Sequence, residues 1–131
     1  MAEHYTFDPA IPVIESEILE GIVEIFGVED PTAILDLIDT FLAESTKQCD
    51  DMQRALTMRD WTMLHRMAHS LKSSSATFGA MRLSQVAAHL EQLAKASCVD
   101  GDCASILSAL IVEHRMARAA LHDERARFAN M

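Results

Sequence analysis

Apolar residues recur along this chain at steps of three and four, the period of an α-helix with one buried face. Ile14, Ile18, Ile22 and Phe26 open the series, joined by Leu19, Val23 and Ile25, with Gly27 as a C-terminal stop. They predict a short helix over about 15–26, after an irregular lead-in (1–13) that holds Pro9 and Pro12. Asp30-Pro31 is a start signal, because Asp caps free N–H groups and Pro is favoured at the first helical position. From there Ile34, Leu35, Ile38, Phe41, Leu42, Ser45, Cys49, Met52 and Leu56 trace one stripe and predict a helix over 31–58. At about 1.5 Å per residue it is roughly 40 Å long.

Asp60 is the next candidate cap. Trp61, Leu64, Ala68, Leu71, Ser75 and Phe78 form the apolar stripe of a third helix, which Gly79 ends. Leu83, Val86, Ala87, Leu90, Leu93 and Ala94 give a fourth helix over about 80–96. Ser97 to Gly101 is a loop, and Asp102 caps a fifth helix over 103–127, whose stripe is Ile106, Leu107, Leu110, Ile111, Ala117 and Leu121. Four long amphipathic helices with short connections predict an all-α antiparallel up-down four-helix bundle. The short first helix is expected to cover one end.

A length of 131 residues suits a single domain over 1–131, and 50% hydrophobic content is enough for its core. Four Gly and three Pro leave little turn material for a many-stranded β fold. The formal charge of −9 disfavours nucleic acid and anionic membranes as general partners, while leaving room for a local basic patch. Cys49, Cys98 and Cys103 form no CxxC pair, so neither a disulfide framework nor a zinc ribbon is expected. The first residues show no basic region followed by an apolar run, and no stretch approaches the roughly 20 apolar residues of a membrane span. A reduced, monomeric, cytoplasmic protein is the expectation.

The chemistry concentrates in the third helix, in Ala68-His69-Ser70-Leu71-Lys72-Ser73-Ser74-Ser75-Ala76-Thr77-Phe78-Gly79. His65, His69, Lys72, Ser73 and Ala76 fall opposite the apolar stripe. His69 is therefore predicted to point outward near mid-helix, with a lysine one turn on. A neutral imidazole nitrogen can accept a phosphoryl group and release it again. Lys72 can lie beside phosphoryl oxygens, and small residues at Ser73, Ser74 and Ala76 leave room for a partner's active site. His65 and His69 also have the i, i+4 spacing of two metal ligands, but Arg66 would repel a cation and no histidine follows an acid by three positions. No metal site is expected. No Gly-rich phosphate loop or kinase signature is present, so the chain has no visible way to use ATP and is not expected to be an enzyme in itself.

The segment resembles the histidine-phosphotransfer (HPt) domain family, whose pattern is His-x-Leu-Lys-Gly-Ser-x-x-x-x-Gly on a long helix of a four-helix bundle. His69, Leu71, Lys72, Ser74 and Gly79 match, and the Asp60-Trp61 helix start and Leu90-Glu91 also fit. Two positions depart: Ser73 replaces the Gly after the Lys, and Glu91 stands where many members have a Gln that orients the imidazole. A carboxylate there can accept the Nδ1 proton and leave Nε2 as nucleophile. Glu91 remains either that partner or a solvated acid. Arg66 and Arg82 are candidates for local positive potential. The resemblance implies a carrier that relays a phosphoryl group between response-regulator receiver domains, with a hybrid histidine kinase as a further partner. It also implies no cofactor in this chain, Mg²⁺ in the receiver, and docking on the face of the second and third helices. The alternative is a non-phosphorylated adaptor that binds a receiver or another regulator. A histidine-kinase dimerisation domain fits poorly, because Ser70 and Ser74 replace the acid and Pro such domains carry.

Overall fold

The computed structural model describes residues 10–26, 30 and 32–130. Helices α1 (Ser16–Phe26), α2 (Ala33–Met58), α3 (Trp61–Thr77), α4 (Met81–Lys95) and α5 (Cys103–Ala129) follow in order. The last four form an up-down bundle in which each packs on its chain neighbours and α2 closes against α5. Cross-helix pairs fix the antiparallel sense. Asp39 early in α2 meets Arg125 late in α5 at 2.6 Å, and Ser84 early in α4 donates to the Lys72 carbonyl late in α3 at 2.8 Å.

The apolar stripes become one core, with Ile38, Met52, Leu64, Leu71, Leu83, Leu90, Leu110 and Leu121 fully buried. Each such side chain contributes about 1.5–3 kcal/mol relative to exposure. Leu35, Leu56 and Ile111 are only partly buried and flank it. The helix starts at 60 and 102 form as the sequence predicts. Asp60 Oδ1 accepts from Met63 N and Asp102 Oδ1 from Ser105 N, each at 3.1 Å. The start of α2 differs. Its N-cap is Thr32, and Asp30 Oδ1 instead accepts from the Thr32 N–H (3.1 Å) and hydroxyl (2.7 Å), an Asx turn one step outside the helix. Pro31 and the expected stop at Gly27 lie outside the described residues.

Helix α1 covers the end of the bundle where α3 turns into α4. Glu15 N donates to the Gly79 carbonyl at 2.8 Å, and Ser16 Oγ donates to Glu124 of α5 at 2.5 Å. Gly79 has φ +78, and a Cβ there would stand 2.7 Å from the Glu15 carbonyl oxygen. Its bare backbone is thus needed twice, for the turn after α3 and for the approach of α1.

The expectation of fully reduced cysteines is overturned. Cys98 and Cys103 form a disulfide, and Cys49 alone is free and buried. Ser97 and Cys98 are left-handed (φ 54 and 60), which folds the chain back after α4 and brings the two Cα atoms within 5.9 Å.

Candidate functional site

His69 stands at the middle of α3, four residues after His65 and one step off the buried row Leu64, Ala68, Leu71 and Ser75. That register turns the imidazole out, and its side chain is 60% exposed. Helix α4 runs antiparallel beside α3 and brings Glu91 under the ring. The Glu91 side chain is only 5% exposed; its Oε2 pairs with His69 Nδ1 and its Oε1 accepts from Lys72 Nζ at 2.7 Å. One buried carboxylate thus holds both candidate groups. Desolvation opposes its charge, but hydrogen bonds from Lys72 and His69, and their charges, outweigh that and hold the carboxyl below its usual range. With Glu91 ionised, an attractive contact requires the proton on Nδ1, which leaves the Nε2 lone pair facing outward.

The other residues singled out in the sequence are distributed around this centre. Ser73 is exposed and Ala76 half-buried, so the surface beyond His69 stays low. Ser74 is half-buried, and its hydroxyl donates to the carbonyls of Ser70 (3.1 Å) and Leu71 (3.3 Å) on its own helix. The His65 ring lies 6.4 Å from the His69 ring and nearly parallel to it. Arg66 is exposed on the next row. Arg82 does not face His69; it forms an ion pair with buried Glu113 of α5 at 2.9 Å. The pairing with Glu91 turns the Nδ1 edge of the imidazole toward α4, so the Nε2 edge faces away from that carboxylate.

The fold also reveals a charge pattern that the net value conceals. Helices α3 and α4 carry four basic residues, Arg66, Lys72, Arg82 and Lys95, and one acid, Glu91, which is buried beneath His69. They are formally +3 inside a chain of −9. The sequence held this signal in the run 61–90, which contains no Asp or Glu. Among the described residues no group of His, Cys, Asp and Glu could hold a metal ion, and no helix is long and apolar enough to cross a membrane.

The sequence family Hpt domain matches residues 36–128, from early α2 to the end of α5. The crystal structure of histidine-containing phosphotransfer protein B (HptB) from Pseudomonas aeruginosa PAO1 superposes with a TM-score of 0.78 at 25% identity, over 90% of this chain and 98% of that one. No curated protein matches the sequence. Domains of this family are phosphotransfer intermediates rather than kinases, and they work with receiver domains and kinases. With the matched segment covering most of the chain and the bundle superposing nearly end to end, the protein belongs to the Hpt-domain family of phosphorelay proteins.

Proposed function

We propose that His69 carries the phosphoryl group between two aspartate-bearing receiver domains. The observation that supports this best is the exposed imidazole whose Nδ1 is held by a buried carboxylate. Nε2 attacks the phosphorus of a receiver's aspartyl phosphate. The P–O bond to the aspartate breaks, and its electron pair leaves with the receiver carboxylate. The ring gains positive charge as the N–P bond forms, and Glu91 is already in place to stabilise it. Passing the group to a second receiver reverses these steps. Lys72, held by Glu91 and one-third exposed, supplies a cation within a turn of the transferred phosphoryl. The receiver is expected to bring Mg²⁺ and its own acidic pocket, while this chain brings the nucleophile and a low surface at Ser73 and Ala76.

The test is incubation with a phosphorylated receiver domain and Mg²⁺, followed by mapping of an acid-labile, alkali-stable adduct. An adduct at His69 is expected. Binding of the receiver without any adduct would favour an adaptor, and an adduct at His65 or His89 would move the site.

A further inference from the structure

One turn along the α3–α4 seam from His69 lies an open cleft of about 250 Å³, lined by Trp61, Thr62, His65, Ala94, Lys95 and Ser97. It borders the site through His65. His65 stacks toward His69 at 6.4 Å between ring centres, and Lys95 follows Glu91 by one turn of α4. The lining is chemically uneven. The half-buried Trp61 indole gives an apolar wall, Thr62 and Ser97 give exposed hydroxyls, and Lys95 gives an exposed ammonium that makes no ion pair among the described residues. The nearest acid on α3, its cap Asp60, is committed to the Met63 N–H. Lys47 is the one lysine elsewhere, so two of the three lysines lie on this seam.

We propose that this cleft is a carboxylate-binding subsite that seats an Asp or Glu side chain of the docked receiver domain. The aliphatic stem lies against Trp61, and the carboxylate meets Lys95 with the Thr62 and Ser97 hydroxyls beside it. The size is right for one side chain. The charge is right for an acidic partner, because Lys95 is the cation left unpaired at the end of a seam whose other lysine, Lys72, is held by Glu91. The last turn of α4 also favours a cation at Lys95. The subsite rests on the carrier reading, and selects among receivers by whether they carry an acid at the matching place.

The experiment measures phosphoryl transfer to the full chain from a receiver domain phosphorylated by acetyl phosphate, and in parallel from phosphoramidate, which needs no large interface. The variants are Lys95→Glu, Lys95→Arg and Arg115→Glu, the last an equal charge change at an exposed position on α5. Lys95→Glu is expected to raise KM for the receiver about tenfold or more, with kcat within about twofold and phosphoramidate labelling unchanged. Lys95→Arg should restore KM, and Arg115→Glu should leave it within about twofold. A receiver variant with the matching acid changed to Lys should recover transfer to Lys95→Glu. An equal KM change in Lys95→Glu and Arg115→Glu would overturn the subsite, since net charge alone would explain it. A slowed phosphoramidate reaction would also overturn it, because Lys95 would then act through His69. If the unmodified chain takes no phosphoryl group from either donor, the carrier reading fails and the subsite falls with it.

Discussion

Two histidines sit in the middle of long helices and face opposite fates. His69 on α3 lies at the surface over a buried carboxylate, with its proton on Nδ1 and Nε2 open. His114 on α5 is buried, with Nε2 2.9 Å from Ser45 Oγ of α2. The same hydroxyl lies 3.3 Å from the Leu42 carbonyl of its own helix, so the ring, the hydroxyl and the backbone share one buried polar cluster. Burial, helped by Arg118 and opposed by Asp50, pushes His114 down to about 4, so it is neutral at neutral pH. The lesson is that residue type sets what a side chain is able to do, and the second partner decides what it does. A carboxylate beneath an exposed ring leaves a nucleophile, whereas a hydroxyl beside a buried ring ties two helices together.

The largest break in this comparison is reciprocal substitution. His69→Gln should abolish phosphoryl labelling while melting temperature changes little. His114→Gln should keep labelling and lose about 1–3 kcal/mol of stability, because it disturbs a buried hydrogen-bonded group. Labelling and unfolding curves of both variants check the pair, and a labelled His69→Gln protein would end the assignment. Lys72→Ala comes next. A charge-assisted contact to phosphate is worth roughly 1.5–3 kcal/mol, so single-turnover transfer should slow by about ten- to a hundredfold. An unchanged rate would make Lys72 only a partner of Glu91.

A pH series sharpens the contrast. His114 binds its proton more weakly when folded, so the unfolded chain takes up more protons between about 6.5 and about 4. Stability is therefore complete above that window and falls as pH drops through it, by about 3 kcal/mol. Glu91 acts in a lower window: its carboxyl is depressed, so its contribution holds above the ordinary value and is lost as pH falls through the folded one. Urea midpoints of His114→Gln should lack the upper arm and keep the lower. The smallest expected effect is at Ser73. Ser73→Gly removes bulk from the approach path and should leave transfer equal or faster, while Ser73→Gln should slow a receiver but not phosphoramidate.

The stripes and caps were legible in the sequence because each is a local rule. Asp60 and Asp102 cap where they are expected to, and the outward turn of His69 follows from its distance to Leu64, Ala68 and Leu71. What escaped depends on contacts between helices. Glu91 reads equally well as solvated until α4 is laid beside α3, and the commitment of Lys72 to it is invisible for the same reason. Arg82 looks like a surface charge until α5 supplies Glu113. The Cys98–Cys103 bridge needs two consecutive left-handed residues, neither of them Gly, which no spacing rule anticipates. His114 did leave a trace: it fills the step between Leu110 and Ala117 on the buried row of α5.

The segregation of charge has a kinetic consequence. With α1 and α2 each formally −3, α3 and α4 together +3 and α5 +1, charge is unevenly spread over the bundle, and a receiver with an acidic docking face feels that field before any atoms touch. Approach from the acidic sides is repelled and approach to the seam is attracted, so encounters are pre-oriented over about one Debye length, roughly 8 Å at physiological salt. Such a field speeds arrival without lengthening the stay, because exposed charges act mainly on the association rate. For a carrier that must leave one partner to reach the next, fast arrival with weak holding sets turnover. Added salt should therefore slow exchange chiefly by lowering the rate of encounter.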